Sequence, residues 1–199
     1  MTNLANRNAF KFYQVKMVFL ACPGDLTAER SRFPRLLETV NNLRAHLLGF
    51  HLEPVGWERV IPSFDRPQDL INKELASADL AIVMFWNRIG SPSNANSDKT
   101  ATIEEFELAS KSYGKHGWPM VWVYFKRPTA SANPQLTGVL DFRNELEAGK
   151  QIFFREFGGI EEWEDMLREH LVAYLDGLKR WDIDKNFASM NPGEALRKL

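Results

Sequence analysis

The stretch Asp79-Leu-Ala-Ile-Val-Met-Phe-Trp86 decides the fold class of this 199-residue chain. One acidic residue precedes seven apolar residues, and the polar segment 87–99, rich in Ser, Asn, Gly and Pro, follows them. An uninterrupted apolar run of this length is typical of a strand that is covered on both faces. We therefore predict a central strand at 79–86 in a parallel sheet between two layers of helices.

Shorter apolar runs and amphipathic segments alternate around this strand. They predict further strands at about 17–21, 50–57, 118–125 and 151–155, and helices at about 26–47, 66–75, 102–113, 134–148 and 160–178. Pro54 favours a sheet edge for the second strand, and Pro34 should kink the first helix or begin a second helical segment. Five strands alternating with helices predict a three-layer, flavodoxin-like α/β domain with strand order 2-1-3-4-5.

The length of the chain suits one domain with a sizeable core. We expect this domain to span residues 15–178. Residues 1–14 are interpreted as a leader, and residues 179–199 as a C-terminal tail or linker, because neither segment has a clear periodic pattern.

Composition and charge argue against several classes of protein. The formal net charge of −1 argues against a generally basic nucleic-acid binder. A single cysteine excludes a disulfide within the chain, and the four histidines lack ligand spacing, so no metal site is expected. No apolar run approaches the roughly 20 residues that span a bilayer, and the N-terminus lacks a signal-peptide pattern. We therefore expect a cytoplasmic protein with no membrane attachment.

The predicted strand order also predicts where a ligand binds. In such sheets, ligands lie outside the carboxyl ends of the strands where the strand order reverses, which here is between strands 1 and 3. Segment 22–25 follows strand 1 and segment 87–102 follows strand 3. Both segments carry unusual residues, which favours a site at this edge of the sheet.

The turn Cys22-Pro23-Gly24-Asp25 is the first candidate for ligand binding. Its backbone amides could face a phosphate, although the turn lacks the P-loop pattern. The alternative, which we favour on the residues alone, is a Pro-Gly turn with Asp25 as a helix N-cap and Cys22 as a small buried thiol. Arg88 directly follows the central strand and either binds a phosphate or carboxylate or is a surface arginine.

Other charged and aromatic residues have two interpretations each. Glu29 and Arg30 form either a site charge pair with Asp25 or an ordinary solvated first turn, and Asp79 is expected to cap or pair. Trp57 and Trp86 end strands 2 and 3 on the ligand side, where they either stack on a base or pack in the core. The remaining tryptophans are interpreted as packing residues: Trp118, Trp122, Trp163 and Trp181.

Glu105 lies near the start of the helix predicted at about 102–113 and is the residue whose side chain could take part in a reaction. A carboxylate there could act as a nucleophile or stabilise an oxocarbenium-like sugar during cleavage of an N-glycosidic bond. Thr102 and Glu105 also match the T-x-x-E capping box, which needs no ligand. On spacing alone, the capping box is the favoured interpretation.

A resemblance to a known family rests on five blocks of sequence: Met17-Val-Phe-Leu-Ala-Cys-Pro-Gly-Asp-Leu-Thr-Ala-Glu-Arg30, Pro67-Gln-Asp-Leu-Ile-Asn72, Ala78-Asp-Leu-Ala-Ile-Val83, Arg88-Ile-Gly-Ser-Pro92 and Thr102-Ile-Glu-Glu-Phe106. Together they resemble a bacterial domain of unknown function that often stands at the N-terminus of STAND-type ATPases, which are NLR-like immune proteins. That domain looks like a relative of TIR domains and nucleoside 2-deoxyribosyltransferases. The resemblance covers most of the chain.

The resemblance implies a TIR-like fold and a catalytic role for Glu105. In the transferases, a Gly-Thr-x-x-Glu-x-x-x-Ala stretch supplies the glutamate nucleophile, and Thr102, Glu105 and Ala109 keep that spacing here. The usual Ser-Gly before the threonine is not reproduced in residues 99–101. Enzymatic TIR domains use one glutamate in an equivalent helix to cleave nicotinamide from NAD. By similarity Glu105 becomes the candidate catalytic residue, and Glu104 is the fallback.

Three functions follow as expectations. The first is a TIR-like effector or signalling domain of bacterial antiviral defence that cleaves the N-glycosidic bond of NAD or a related nucleotide. In it, Arg88 and the 22–25 amides would hold phosphate, Trp57 or Trp86 would flank the base, and NAD would be a substrate rather than a cofactor. The second is a non-catalytic nucleotide-binding or self-association module, acting as a homo-oligomer or with a STAND-type ATPase. The third is base exchange, as in the transferases.

Overall fold

The computed structural model describes residues 12–56, 67–92, 99–150 and 152–178. These residues form a parallel sheet with strand order β2-β1-β3-β4-β5. Its strands are β1 (Gln14–Ala21), β2 (Phe50–Val55), β3 (Leu80–Phe85), β4 (Met120–Lys126) and β5 (Phe154–Phe157). The predicted α/β fold class and strand order are confirmed.

Helices follow the strands in the predicted alternation. They are α1 (Thr27–Leu43), α2 (Pro67–Ala76), α3 (Ala101–His116), α4 (Pro134–Gly149) and α5 (Ile160–Gly177), with a short 3-10 helix at Ala45–Leu48. In the described ranges, no helix is both long enough and apolar enough to cross a membrane.

Strand β3 lies at the centre of the sheet because its side chains are apolar on both faces. It pairs with β1 on one side and with β4 on the other. Ile82 and Met84 pack in one hydrophobic cluster, whereas Ala81 and Val83 pack in the other, and all four are buried. A continuous apolar run is therefore required here, since neither face of the strand contacts water.

Two layers of helices cover the sheet. Leu37 of α1 and Leu171 of α5 belong to the cluster on one face. Ile71 of α2, Phe106 of α3 and Val139 of α4 belong to the cluster on the opposite face. The helices α2 and α3, which approach the carboxyl ends of β1 and β3 from the same face, are the ones that shape the candidate site.

The two outer parts of the sheet differ in part from the prediction. Pro54 lies in β2, which is the outermost strand of the described sheet, beside β1, so the predicted edge position is confirmed. Strand β5 begins at Phe154, later than the predicted 151–155, because Phe154 pairs with Val123 and Phe157 packs in the core. Phe153 is 78% exposed, so the aromatic pair that anchors the strand is Phe154 and Phe157.

Other predictions about local structure differ from the structure. The first helix contains Pro34 at an exposed position and continues to Leu43, so the second segment proposed at Pro34 is wrong, and the kink proposed there stays a prediction. Trp118 is 54% exposed rather than packed, whereas Trp163 is fully buried as predicted. Strand β1 begins at Gln14, inside the predicted leader. The rest of that leader, apart from residues 12 and 13, and the predicted tail 179–199 with Trp181 lie outside the described residues.

Candidate functional site

The loops that follow β1 and β3 meet at the predicted position, because these two strands are neighbours and parallel. The backbone N–H of Asn87 donates to Asp25 Oδ2 over 3.0 Å. Asp25 is therefore not the N-cap of α1, as the sequence had indicated. Leu26 holds that position and provides no side-chain cap. The other oxygen, Asp25 Oδ1, is buried and has no hydrogen-bond partner among the described residues, so one acceptor of this carboxylate is unused.

Asn87 extends this junction to the loop after β4. Its Oδ1 accepts hydrogen bonds from the backbone N–H groups of Thr129 (3.0 Å) and Ala130 (3.2 Å). Its Nδ2 donates to Thr129 Oγ1 over 3.2 Å. Three loops at the carboxyl edge are thus joined through one asparagine, which gives the site a defined shape.

The start of α3 resolves the choice between a capping box and a free carboxylate. Thr100, not Thr102, is the N-cap, and its Oγ1 accepts from the backbone N–H of Ile103 at 3.5 Å. Thr102 lies inside the first turn and is buried. The Thr102–Glu105 capping box is therefore wrong, and the Glu105 carboxyl group is not used to begin its own helix.

Glu105 is buried at the carboxyl edge of the sheet, with 4% of its surface exposed. Its Oε1 accepts a hydrogen bond from Gln68 Nε2 of α2 over 3.3 Å. Burial raises the pKa of Glu105 from 4.5 to about 7, against the lowering effects of the Gln68 hydrogen bond and the Arg30 charge, while Glu104 raises it further. Near neutral pH the group is therefore present as both acid and carboxylate, which is the range in which a side chain can act in acid–base or nucleophilic chemistry.

Cys22 and Arg30 lie beside Glu105. An Arg30 Nη atom donates to the Cys22 carbonyl oxygen at 2.7 Å and contacts Cys22 Sγ at 3.5 Å. Burial raises the pKa of the Cys22 thiol, Arg30 lowers it, and Glu105 and Glu29 raise it. A thiol that is held neutral in this way is a poor nucleophile, so the interpretation as a buried thiol is confirmed. We refer to Cys22, Arg30, Gln68 and Glu105 as the carboxyl-end cluster.

A buried ion pair that the sequence did not predict lies near this cluster. Glu29 is only 1% exposed, and its Oε1 is 2.7 Å from Lys126 Nζ, so the predicted solvated first turn is wrong. Lys126 Nζ also lies 4.1 Å from the centroid of the Trp86 ring, and Trp86 Nε1 donates to the Arg127 carbonyl oxygen at 3.1 Å. One face of Trp86 is thus covered by an ammonium group, and the indole is fixed in place.

Comparison with known families assigns the chain. Residues 17–172 match the model of the family described as "Domain of unknown function (DUF4062)". The chain belongs to the DUF4062 family. This confirms the sequence resemblance to a domain of unknown function, and a comparison with curated proteins finds no match.

The remaining predicted site residues of this DUF4062 domain fall into two groups. Pro23 is buried, whereas Gly24 and Arg88 are exposed, and Arg88 forms no ion pair with a carboxylate of the described residues. The loops after β1 and β3 thus each have an exposed residue that a ligand at the carboxyl edge could contact. The Glu105 side chain, in contrast, is buried against α2. Trp57 lies outside the described residues.

The opposite end of the DUF4062 domain carries a cavity that is separate from this site. It has a volume of about 420 Å³ and lies at the amino end of β2, lined by Arg44, Leu48, Phe50, Leu175, Asp176 and Leu178.

Asp79 precedes β3 at the amino end of the sheet. It accepts hydrogen bonds from Lys16 Nζ at 3.0 Å and from the Met17 N–H at 2.9 Å, so the predicted pairing role is confirmed. Within the described ranges, no group of three or more His, Cys, Asp or Glu side chains is arranged to hold a metal ion.

Proposed function

We propose that this domain cleaves the N-glycosidic bond of NAD or a related nucleotide, with Glu105 as the catalytic residue. The observation that carries the proposal is the position of Glu105, a buried carboxyl group at the carboxyl edge between β1 and β3 that takes no part in capping its helix. This edge is where ligands bind in sheets of this order. The resemblance to TIR domains and nucleoside 2-deoxyribosyltransferases supports the same role.

The proposed reaction uses the carboxylate form of Glu105. The bond between C1′ of the ribose and the pyridinium nitrogen breaks, and its electron pair leaves with nicotinamide, which departs as a neutral base. The carboxylate either stabilises the ribosyl cation or bonds to C1′, and water then attacks that carbon and releases a proton. A carboxylate in a buried site stabilises such a cation more strongly than one in water, because the local dielectric constant is lower.

Other groups at the same edge have matching roles in this proposal. Arg88 and the backbone N–H groups of the 22–25 turn hold phosphate in this proposal, because an exposed guanidinium group and backbone N–H groups suit that anion. Asp25 Oδ1, which lacks a partner among the described residues, accepts from a ribose hydroxyl group. Trp86 or Trp57 flanks the leaving base. In this proposal the domain is a TIR-like effector of bacterial defence that acts in the cytoplasm.

The test is nicotinamide release from NAD by purified protein, followed by chromatography. We expect release by the unmodified chain and a loss of about a thousandfold or more with Glu105→Gln, since a nucleophilic carboxylate contributes several kcal/mol to the transition state. Glu107→Gln is the matched control, because Glu107 lies on the same helix but pairs with Lys99 at the surface. Equal turnover by the Glu105→Gln variant and the unmodified chain would contradict the assignment. Loss of activity in Glu104→Gln alone would move the role to the fallback residue.

A non-catalytic nucleotide-binding module is the second candidate, and the contact that closes Glu105 against Gln68 favours it. A carboxyl group that is 4% exposed and bonded to Gln68 is closed to a substrate in this conformation. Such a module would signal by self-association or together with a STAND-type ATPase. It predicts a thermal shift with NAD and no nicotinamide release, even at high protein concentration. Base exchange, the third candidate, predicts a new nucleotide only when an acceptor base is added.

A further inference from the structure

Gln68 of α2 connects Glu105 to a second carboxyl group through two side-chain amides. Gln68 Nε2 donates to Glu105 Oε1 at 3.3 Å and to Asn72 Oδ1 at 3.2 Å. Asn72 Nδ2 in turn lies 3.5 Å from Glu104 Oε1. Glu105 and Glu104 are neighbours on α3, so the hydrogen bonds form a closed chain between α2 and α3.

The carboxylate at one end of this chain determines the orientation of both amides. An ionised carboxylate only accepts hydrogen bonds, so Glu104 requires the NH₂ group of Asn72 to face it. Asn72 Oδ1 then faces Gln68 and requires the NH₂ group of that residue to face inwards. If the Gln68 amide were reversed, its oxygen would meet Asn72 Oδ1 and the Glu105 carboxylate, which are both acceptors. Glu105 therefore faces a donor rather than a carbonyl oxygen.

We propose that Gln68 is a positioning residue for Glu105, and that Asn72 fixes Gln68 in the orientation that favours the carboxylate form. The inference rests on the proposed function for its catalytic meaning, because the carboxylate is the form that the reaction uses. The effect of Gln68 on the position and ionisation of Glu105 does not depend on the proposed reaction and is inferred from the described contacts alone. Gln68 itself is buried, so water does not compete for its donor.

Charged groups on α1 and α3 and the burial of the side chain influence the ionisation of Glu105. Arg30 from α1 favours the carboxylate, Glu104 on the same helix and burial oppose it, and the neutral Cys22 thiol after β1 adds no charge. The Gln68 hydrogen bond is the largest effect that lowers the pKa of Glu105. Loss of that donor should therefore move the titration of Glu105 to higher pH.

The experiment is an NMR titration of the full chain labelled with ¹³C at the glutamate carboxyl carbons, with the Glu105 signal assigned by its loss in Glu105→Gln. We expect Gln68→Met to raise the apparent pKa of Glu105 by at least about half a pH unit. Asn72→Leu should raise it by less, since the donor remains but is no longer oriented. The control is Gln14→Met at the amino end of β1, which should leave the titration unchanged.

Two outcomes separate this inference from the proposed reaction. If Glu105 titrates alike in Gln68→Met and in the unmodified chain, the positioning role is wrong, whatever the enzyme activity. If Gln68→Met does not fold, Asn72→Leu decides the question by the same measurement. If the chain releases nicotinamide, the acid limb of its pH–rate profile should move to higher pH in Gln68→Met. A chain without NAD cleavage but with the expected NMR shift would reject the reaction and keep the positioning role.

Discussion

Replacement of Glu105 by Gln should make the domain more stable at alkaline pH while it removes the proposed activity. Burial raises the pKa of Glu105 from 4.5 to about 7. A carboxyl group with a raised folded-state pKa stabilises the fold fully below the unfolded pKa, and this contribution is lost as the pH rises through about 7. At pH 8 the folded protein therefore carries a buried carboxylate that the unfolded chain exposes to water.

The size of the effect follows from the two pKa values. At about 1.4 kcal/mol per pKa unit, the difference between 4.5 and about 7 corresponds to about 3 kcal/mol. A neutral amide of the same shape avoids this cost and can still accept from Gln68 Nε2. We expect Glu105→Gln to raise the free energy of unfolding by about 3 kcal/mol at pH 8 and by less than about 1 kcal/mol at pH 5.

Urea unfolding followed by circular dichroism, with unmodified chain and variant compared at each pH, measures this difference. Glu107→Gln is the control, because its carboxylate is exposed beside Lys99 and should change stability little at either pH. A Glu105→Gln variant that is no more stable than the unmodified chain at pH 8 would refute the reasoning. In that case the carboxylate would be solvated or paired better than the described contacts indicate.

Two further changes test the loops and the ion pair around the site. Gly90 has φ +115°, and a Cβ atom there would lie 3.2 Å from Thr100 Cβ, so Gly90→Ala should lower the free energy of unfolding by about 1–3 kcal/mol. Gly114→Ala within α3 should be neutral or stabilising, because the added Cβ meets no atom within 4 Å among the described residues beyond the surrounding helix backbone, and equal effects of the two variants would contradict the explanation. Lys126→Met should lower the free energy of unfolding, measured in urea, by about 3 kcal/mol, because it leaves the buried Glu29 carboxylate without the Lys126 ammonium group. The double variant with Glu29→Met should regain most of that loss, and a double variant as unstable as Lys126→Met would reject the ion-pair account.

The order of the sheet could be predicted because it depends on patterns that are local in the sequence. The apolar run before Trp86 is long enough to identify a strand buried on both faces, and the alternation of strands and helices leaves few topologies. The bounds of β5 could not be predicted in the same way, since 151–155 and Phe154–Phe157 are both short aromatic stretches. The pairing of Phe154 with Val123 and the packing of Phe157 against Trp163 decide between them.

The place where the loops after β1 and β3 meet could be predicted, but the contacts made there could not. Thr102 and Glu105 fit a capping box in sequence, yet Thr100 begins the helix, where its Oγ1 also donates to the Ile89 carbonyl oxygen at 2.9 Å. A pattern search cannot see that second contact. The partners Gln68 and Lys126 were also missed, because they lie 37 residues from Glu105 and 97 residues from Glu29. Lys126 had one usable signal, its position at the carboxyl end of an apolar strand.

The burial of Glu105 also indicates what must change when a ligand binds. The carboxyl group is bonded to α2, while the exposed candidates Gly24 and Arg88 lie on the loops above the sheet. A substrate that reached Glu105 would have to displace the Gln68 hydrogen bond or bind beside it. If the substrate displaces this hydrogen bond, substrate binding also changes the ionisation of Glu105, because Gln68 Nε2 is the donor that stabilises the carboxylate.

The most direct measurement is a crystal structure of the chain with an NAD analogue that resists hydrolysis. Our account predicts that C1′ of the nicotinamide ribose lies in contact with a Glu105 carboxylate oxygen, with the phosphates beside Arg88 and residues 22–25. An analogue bound elsewhere, with Glu105 still closed on Gln68, would contradict it.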